Sequence, residues 1–172
     1  MHKDNNIYLI GPPAAGKTSI GRELARLLGM EFYDSDMEIE KRAGADITWI
    51  YDIEGEEGFR SRERKVIEEL TKLRGILLAT GGGAIIDAFN RDRLSACGAV
   101  VYLSVSVDAQ IARTEKDRRR PILQGDIDKR EVLTEILTER QHLYEQIADI
   151  TVNTDKRNVR SVVQEIMQKL EE

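Results

Sequence analysis

The sequence has little cysteine, little proline, few aromatic residues and no long hydrophobic run. Its 172 residues include one cysteine and three prolines, and aromatic residues make up 5% of the chain. Cys97 therefore has no internal disulfide partner, and His2 and His142 lack the cysteines of a zinc site. No apolar stretch reaches the roughly 18 residues that a membrane span needs. These absences predict a cytoplasmic protein without disulfides, structural zinc or a membrane anchor.

The charge balance is mildly acidic. Lysine and arginine total 26 against 31 aspartates and glutamates, a net charge of -5. A general binder of nucleic acid or of membrane surfaces needs a positive field, because both partners are polyanions. We therefore expect no such partner and expect any anion site to be local. The length is typical of one domain, and 41% hydrophobic residues suffice for one core over residues 1–172.

Short apolar runs alternate with amphipathic segments along the chain. The runs predict strands at 7–10, 31–33, 76–79, 100–103 and 150–152. Alternation of this kind predicts right-handed crossovers and a five-stranded parallel sheet covered by helices on both faces. The expected fold class is α/β, with ligands bound at the carboxyl ends of the strands.

Helices are predicted from the spacing of apolar residues, one of them starting after Ser106 and another over the amphipathic stretch 132–147. Three more have a clear inward-facing stripe. The first, after Lys17, has the inward residues Ile20, Leu24, Leu27 and Leu28. The second starts at about Glu56 and has the inward residues Phe59, Val66, Ile67, Leu70 and Leu73. The last has the inward residues Val159, Val162, Val163, Ile166, Met167 and Leu170. The charged interval 116–129 is predicted to be a mobile surface segment.

Residues 11 to 18 read Gly-Pro-Pro-Ala-Ala-Gly-Lys-Thr and match the GxxxxGKT pattern of a P-loop. The pattern lies between a predicted strand and a predicted helix, where backbone N–H groups converge on a phosphate. Lys17 adds a positive charge, and the Thr18 hydroxyl can ligate Mg²⁺. The sequence therefore predicts a nucleotide-binding site.

A GTPase is the first alternative for such a loop. Asp52-Ile53-Glu54-Gly55 matches the DxxG pattern of a GTPase switch, but no NKxD sequence that would read guanine occurs. Residues 37–42 have a helical pattern and leave little room for the strands around a switch. The DxxG match is therefore interpreted as coincidental.

Asp34-Ser35-Asp36 ends the second predicted strand and lies beside the P-loop if the first two strands are adjacent. One carboxylate could hold a water of the Mg²⁺ shell, and the other could orient a hydroxyl that attacks the γ-phosphorus. A solvated turn at the end of the strand is the alternative.

Further polar groups follow along the chain. Arg60 and Glu63 lie three residues apart on one helix face, where they can pair. Gly81-Gly82-Gly83 follows the third strand, where glycine allows the backbone to approach a ligand, although a plain connector would use the same residues. Arg140, considered alone, has the position of a solvated helix charge.

Taken together, these motifs resemble the shikimate kinase family, and within it the bacterial type-I enzymes of aromatic amino-acid biosynthesis. The matching segments are the P-loop, Phe32-Tyr33-Asp34-Ser35-Asp36, Gly55-Glu56-Glu57-Gly58-Phe59-Arg60, Gly81-Gly82-Gly83, Arg120-Pro121 and Arg140-x-x-Leu143-Tyr144. They occur in the family's order and spacing over nearly the whole chain.

The resemblance implies a three-layer α/β/α P-loop kinase fold. It implies transfer of the γ-phosphoryl group of MgATP to the 3-hydroxyl of shikimate, with ATP and shikimate as partners and one Mg²⁺ ion. It further implies a monomer with a mobile lid near residues 116–129 and a shikimate-binding region near residues 34–63.

On the acceptor side, the resemblance gives roles to four residues. Asp36 matches the aspartate that binds the shikimate hydroxyls and serves as the base. Arg60 and Arg140 match the pair that clamps the shikimate carboxylate, which suits planar, charge-assisted hydrogen bonding. Gly82 matches a glycine whose backbone binds a ring hydroxyl.

On the nucleotide side, Lys17 and Arg120 join Asp36 as catalytic residues, with Arg120 as the lid arginine that reaches the phosphates. Thr18 is the implied Mg²⁺ ligand, and Asp34 acts through water. Arg113 is placed near the adenine or phosphates. The residues implied to contact ATP are Ala14, Ala15, Gly16, Lys17, Thr18, Ser19, Arg120 and Arg157.

The sequence departs from the family at three positions. Ala14 stands where the family usually has glycine, and Asn153 and Val159 replace the commoner aspartate and proline near the adenine loop. None of these departures removes a catalytic group. Because one fold and one P-loop serve many functions, two alternatives remain, a kinase of gluconate or of a nucleoside monophosphate and a non-catalytic ATP-binding module.

Overall fold

A computed structural model of the protein describes residues 5–115 and 128–172. Its strands are β1 (Ile7–Ile10), β2 (Glu31–Asp34), β3 (Ile76–Ala79), β4 (Ala99–Ser104) and β5 (Ile150–Asn153). Its α-helices are α1 (Lys17–Leu28), α2 (Ser35–Ala43), α3 (Ile47–Leu70), α4 (Ala88–Cys97), α5 (Val107–Thr114), α6 (Lys129–Ile147) and α7 (Val159–Glu171). A 3₁₀ turn, Ala84–Ile86, follows β3.

The five strands form one parallel sheet in the order β2-β3-β1-β4-β5. The first strand is central, with Tyr8 opposite Leu78 of β3 on one side and Val100 of β4 on the other. This arrangement places the loop after β1 at the middle of the carboxyl edge, where open α/β sheets bind their ligands.

Both faces of the sheet are covered. On β1, Tyr8 and Ile10 join the core formed with α2, α3, α4 and α6, while Ile7 and Leu9 join the core formed with α1 and α7. The three central strands, β1, β3 and β4, are buried along their length and read as continuous apolar runs, whereas the edge strands β2 and β5 are only partly buried. All five strands were predicted from the sequence. The predicted α/β class with three layers is confirmed.

Four residues that were predicted to face inward are exposed. Leu27 is 47% exposed, Leu28 38%, Leu73 40% and Val159 37%. Each lies in the first or last turn of its helix or just beyond it, where fewer neighbours cover a side chain. The inward prediction was therefore wrong at the helix ends and right for their central turns.

The long helix begins earlier than the predicted start at about Glu56. Asp46 caps α3 by accepting a hydrogen bond from the Trp49 N–H, so the helix begins at Ile47. It is kinked at Gly55, whose φ of 73° and ψ of 179° are not helical. Spacing across a kink does not stay in phase, and the sequence therefore revealed only the second segment. The DxxG match lies within this helix.

Most of the predicted lid lies outside the described residues, as does Arg120. In the two ranges that the structure covers, no helix combines the length and the apolar character needed to cross a bilayer.

Candidate active site

The P-loop joins the central strand to α1. Gly11 is required by close packing, because a Cβ there would stand 2.4 Å from the Leu103 carbonyl oxygen. Gly16 has a φ of 90° and precedes α1 without any side-chain cap. The first N–H groups of α1 are therefore directed into the loop, which is the geometry of an anion site.

Ala14 adopts a left-handed backbone conformation, with a φ of 66°. A residue with a Cβ pays about 1 kcal/mol to adopt that conformation, whereas the glycine that the family usually has at this position would not. Two side chains of α5 hold the loop in this shape. Gln110 donates to the Pro13 carbonyl at 2.9 Å, and Arg113 donates to the Ala14 carbonyl at 2.9 Å. The role of Gln110 was not visible in the sequence.

Lys17 is folded over the loop. Its Nζ donates to the carbonyl oxygens of Gly11 at 2.7 Å and Pro12 at 2.9 Å, and the residue is buried. The ammonium group thus lies against the carbonyl groups of the P-loop.

Thr18 and Asp34 bring two oxygen groups together beside the P-loop. The Thr18 hydroxyl donates to Asp34 Oδ2 at 2.6 Å, and Asp34 Oδ1 accepts from the Met37 N–H as the cap of α2. Oxygen ligands of this kind suit Mg²⁺, which binds through few protein groups and keeps its waters and phosphate oxygens. The described residues contain no cluster of three or more acidic, histidine or cysteine side chains for a metal.

The route by which Asp34 reaches Thr18 differs from the one considered in the sequence. The first two strands are not adjacent, because β3 lies between them. Helix α1 contacts both β2 and β3, and so carries Thr18 across to the end of β2.

A pocket of about 480 Å³ adjoins the P-loop. Its lining includes Pro13, Asp36, Tyr51, Asp52, Glu56, Phe59, Arg60, Glu63, Gly81, Gly82, Gly83 and Arg140. The structure thus brings together every residue predicted for the acceptor side. Pro13 belongs to the P-loop, so the pocket and the loop share a wall.

Arg60 and Glu63 form an ion pair on α3. Arg60 Nη1 lies 2.9 Å from Glu63 Oε1, and the guanidinium also lies over the Phe59 ring at 5.2 Å. The Glu63 side chain is 1% exposed. Burial raises the pKa of the Glu63 carboxyl to about 7, against the lowering effect of Arg60, and the nearby Asp36 adds to the rise.

Arg140 reaches the pocket from α6. It is 8% exposed, so the interpretation as a solvated helix charge is wrong, and its Nε makes no hydrogen bond to any described residue. Tyr144, one turn later, donates its hydroxyl to the Gly82 carbonyl and stacks on Tyr102 with ring centres 5.0 Å apart. Burial raises the pKa of Tyr144 well above its ordinary value.

The three glycines after β3 form the floor of the pocket. A Cβ on Gly81 would stand 2.6 Å from Asp36 Oδ1, and a Cβ on Gly83 would stand 2.3 Å from Arg60 Nη2. The Gly81 N–H donates to the buried Ser35 hydroxyl at 2.9 Å. This contact was not predicted, and with the glycines it argues against a plain connector.

Arg113 and Arg157 hold the segments around the P-loop and β5. Arg113 also donates to the Thr154 carbonyl at 2.6 Å, so it ties the P-loop to the segment after β5. Arg157 donates to Ser161, to the Asn153 carbonyl and to Glu165. It anchors its own loop to α7, and contact with adenine stays a prediction.

Three comparisons place the chain among known proteins. The family model for shikimate kinase matches residues 13–171. A shikimate kinase 1 from Salmonella newport (strain SL254) is 54% identical over 171 residues, covering 99% of both chains. The structure of a shikimate kinase from Acinetobacter baumannii in complex with shikimate is 48% identical, covers 97% of this chain and 93% of that one, and superposes with a TM-score of 0.94.

A more distant neighbour shares only the fold. A gluconokinase from Sinorhizobium meliloti is 15% identical, with coverage of 99% and 94% and a TM-score of 0.62. The family model and the 54% identity over nearly the full length show a much closer relationship than the 15% identity to the gluconokinase does. The chain therefore belongs to the shikimate kinase family.

Proposed function

We propose that the protein is a shikimate kinase that transfers the γ-phosphoryl group of MgATP to the 3-hydroxyl of shikimate. The products are ADP and shikimate 3-phosphate, in aromatic amino-acid biosynthesis. The observation that carries the proposal is one pocket, next to the P-loop, that holds the carboxylate of Asp36 and the guanidiniums of Arg60 and Arg140. A polyhydroxylated acid needs both kinds of partner.

The nucleotide is proposed to bind along residues 14–19. The N–H groups at the start of α1 and the Lys17 ammonium would hold the β- and γ-phosphates. Thr18 and Asp34 fit a Mg²⁺ ion, Thr18 by direct contact and Asp34 through water, since their oxygens already lie 2.6 Å apart. Mg²⁺, when bound, neutralises the charge that develops on the phosphates.

The acceptor is proposed to bind by its carboxylate at one end of the pocket and by its hydroxyls at the other. Arg60 and Arg140 can both donate paired hydrogen bonds to a carboxylate. The Gly82 backbone would contact a ring hydroxyl. Asp36, at the start of α2, would align the attacking hydroxyl and accept its proton.

Catalysis would consist mainly of positioning and charge neutralisation, because phosphoryl transfer passes through a loose transition state. Lys17 would neutralise the phosphates from the P-loop. A similar role for Arg120, in a lid near residues 116–129, rests on the family resemblance alone. Closure of the lid would exclude water and so favour transfer over hydrolysis.

We further propose that the protein acts in the cytoplasm as a monomer of one domain, in which residues 34–63 form the shikimate-binding region. The prediction of no nucleic-acid or membrane partner rests on the net charge of -5.

Acceptor competition in an assay of ADP release tests the proposal. MgATP is supplied with shikimate, gluconate or AMP, and with no acceptor. Turnover with shikimate and only background ADP release in the other three reactions is the expected result. Turnover with gluconate or AMP would indicate another small-molecule kinase, and tight ATP binding without turnover would indicate a binding module.

A Gly83→Ala substitution is expected to raise the KM for shikimate by at least about tenfold while leaving the KM for ATP nearly unchanged. The added methyl group would displace Arg60, which lies 2.3 Å from its position. Steady-state kinetics with each substrate varied in turn measures both constants. A Gly29→Ala variant, whose methyl group meets no atom within 4 Å but strains a left-handed backbone, controls for a general loss of stability and should keep the KM for shikimate. An unchanged KM for shikimate in the Gly83 variant would contradict the packing argument.

A further inference from the structure

The acceptor pocket carries more negative than positive charge if all its groups are ionised. Its charged lining residues are Asp36, Asp52, Glu56 and Glu63 against Arg60 and Arg140. An anionic acceptor that entered this pocket would add a further negative charge. Charges of one sign in a confined site of low dielectric repel strongly, so one of the carboxylates has a reason to be neutral when the acceptor is bound.

Glu63 is the carboxylate whose surroundings fit that change. It is 1% exposed, and its Oε2 has less than 1 Å² of exposed surface and no hydrogen bond to any described residue. Its other oxygen, Oε1, is bound to Arg60. A neutral carboxylic acid is less costly to bury than an ion, and it also carries an O–H that can donate.

Ionisable groups face Glu63 from several elements. Arg60 belongs to its own helix, Tyr51 to the segment of α3 before the kink, Asp36 to α2 and Arg140 to α6. The free Oε2 points to the backbone of Gly81, where a Cβ would stand 3.1 Å from it and 2.6 Å from Asp36 Oδ1. Two carboxylates therefore lie against the same glycine.

We propose that Glu63 takes up a proton when the carboxylate of the acceptor binds. The inference rests on the proposed function. The proton comes from solvent, adds to the Glu63 carboxylate and returns to solvent when the ligand leaves, with no other bond made or broken. Arg60 then exchanges one carboxylate partner, Glu63, for another, that of the acceptor, and the pocket gains no net charge.

The direction of the pH dependence follows from linkage. In the free protein, burial raises the pKa of Glu63 to about 7. A bound carboxylate repels the ionised form and withdraws Arg60, so the pKa of Glu63 rises further in the complex. At pH values between these two pKa values, binding of shikimate takes up a proton. In that range, the Kd for shikimate rises by up to about tenfold for each unit that the pH increases. At pH values below about 6, Glu63 is protonated in both states, and the Kd is constant.

Titration calorimetry of shikimate binding tests the inference. The full chain is titrated in buffers of different ionisation enthalpy at about pH 7.5, and the slope of the observed heat against that enthalpy gives the protons taken up. Because about a quarter of Glu63 is already protonated at that pH in the free protein, uptake of up to about three quarters of a proton is expected for the unmodified protein. In Glu63→Gln, which imitates the neutral acid, we expect no uptake and a Kd that does not change with pH. Glu68→Gln, a change of the same chemistry on the same helix but outside the pocket lining and outside residues 34–63, should keep the uptake.

The outcomes separate the inference from the proposed function. Absence of any shikimate binding by the unmodified protein would contradict the proposed function. Binding without proton uptake would leave the function intact and overturn the inference. A Glu63→Gln variant that binds more weakly by the same factor at every pH would also overturn it, because that is the behaviour of a fixed ion pair. The measurement on the unmodified protein decides the question even if the variant does not fold.

Discussion

An Asp36→Asn variant is expected to turn over shikimate about 10³-fold more slowly than the unmodified protein, with ATP affinity nearly unchanged. An amide cannot accept the proton of the attacking hydroxyl, and general-base catalysis contributes roughly 10² to 10⁴ in rate. Asp36 lines the acceptor pocket and lies against Gly81, whereas Lys17 and Thr18 belong to the P-loop. The loss should therefore fall on kcat, and ATP binding should be spared.

The measurement is kcat from steady-state kinetics together with the Kd for ATP by fluorescence or calorimetry. Asp92→Asn, an exposed change of the same chemistry on α4, is the control and should keep normal turnover. Turnover of the Asp36 variant within a few-fold of normal would remove Asp36 from the role of base. An equal loss of ATP affinity would show a disturbance of the nucleotide site instead.

An Arg140→Ala variant is expected to raise the KM for shikimate by about 10²-fold, the equivalent of roughly 3 kcal/mol of charged hydrogen bonding. Arg140 is 8% exposed and its Nε is free of hydrogen bonds to the described residues, so this donor is available to a ligand. Arg140→Lys should recover only part of the affinity, because an ammonium group lacks the planar fork of a guanidinium.

The control for Arg140 lies on the same helix. Arg130 is 61% exposed and pairs with Asp108, so Arg130→Ala should leave the KM for shikimate unchanged. Near-normal KM for shikimate in a folded Arg140→Ala variant would contradict the carboxylate clamp. Thermal unfolding of each variant separates loss of affinity from loss of folded protein.

The strands and the P-loop were predicted correctly because each depends on residues that are adjacent in the sequence. Strands buried on both faces are continuous apolar runs, and the P-loop at residues 11–18 is a contiguous pattern that lies between a strand and a helix. The start of α3 was less accessible, because the kink at Gly55 puts the apolar spacing of its two segments out of phase. The position at which such a helix starts therefore became known only from the structure.

The contacts that the sequence missed join residues far apart in the chain. Tyr144 donates to Gly82, Gln110 to Pro13, and Gly81 to Ser35. The burial of Arg140 likewise depends on how α6 packs beside the loop after β3, since its own helix gives only an ordinary polar pattern. No local rule specifies these contacts, because each depends on the order of strands in the sheet.

The most direct test of the central claim is to identify the product. MgATP and shikimate are incubated with the protein, and the mixture is followed by phosphorus NMR and mass spectrometry. The account predicts one phosphate monoester on the 3-hydroxyl of shikimate for each ADP formed, with little inorganic phosphate. Inorganic phosphate with unaltered shikimate, or a phosphate on another hydroxyl, would contradict it.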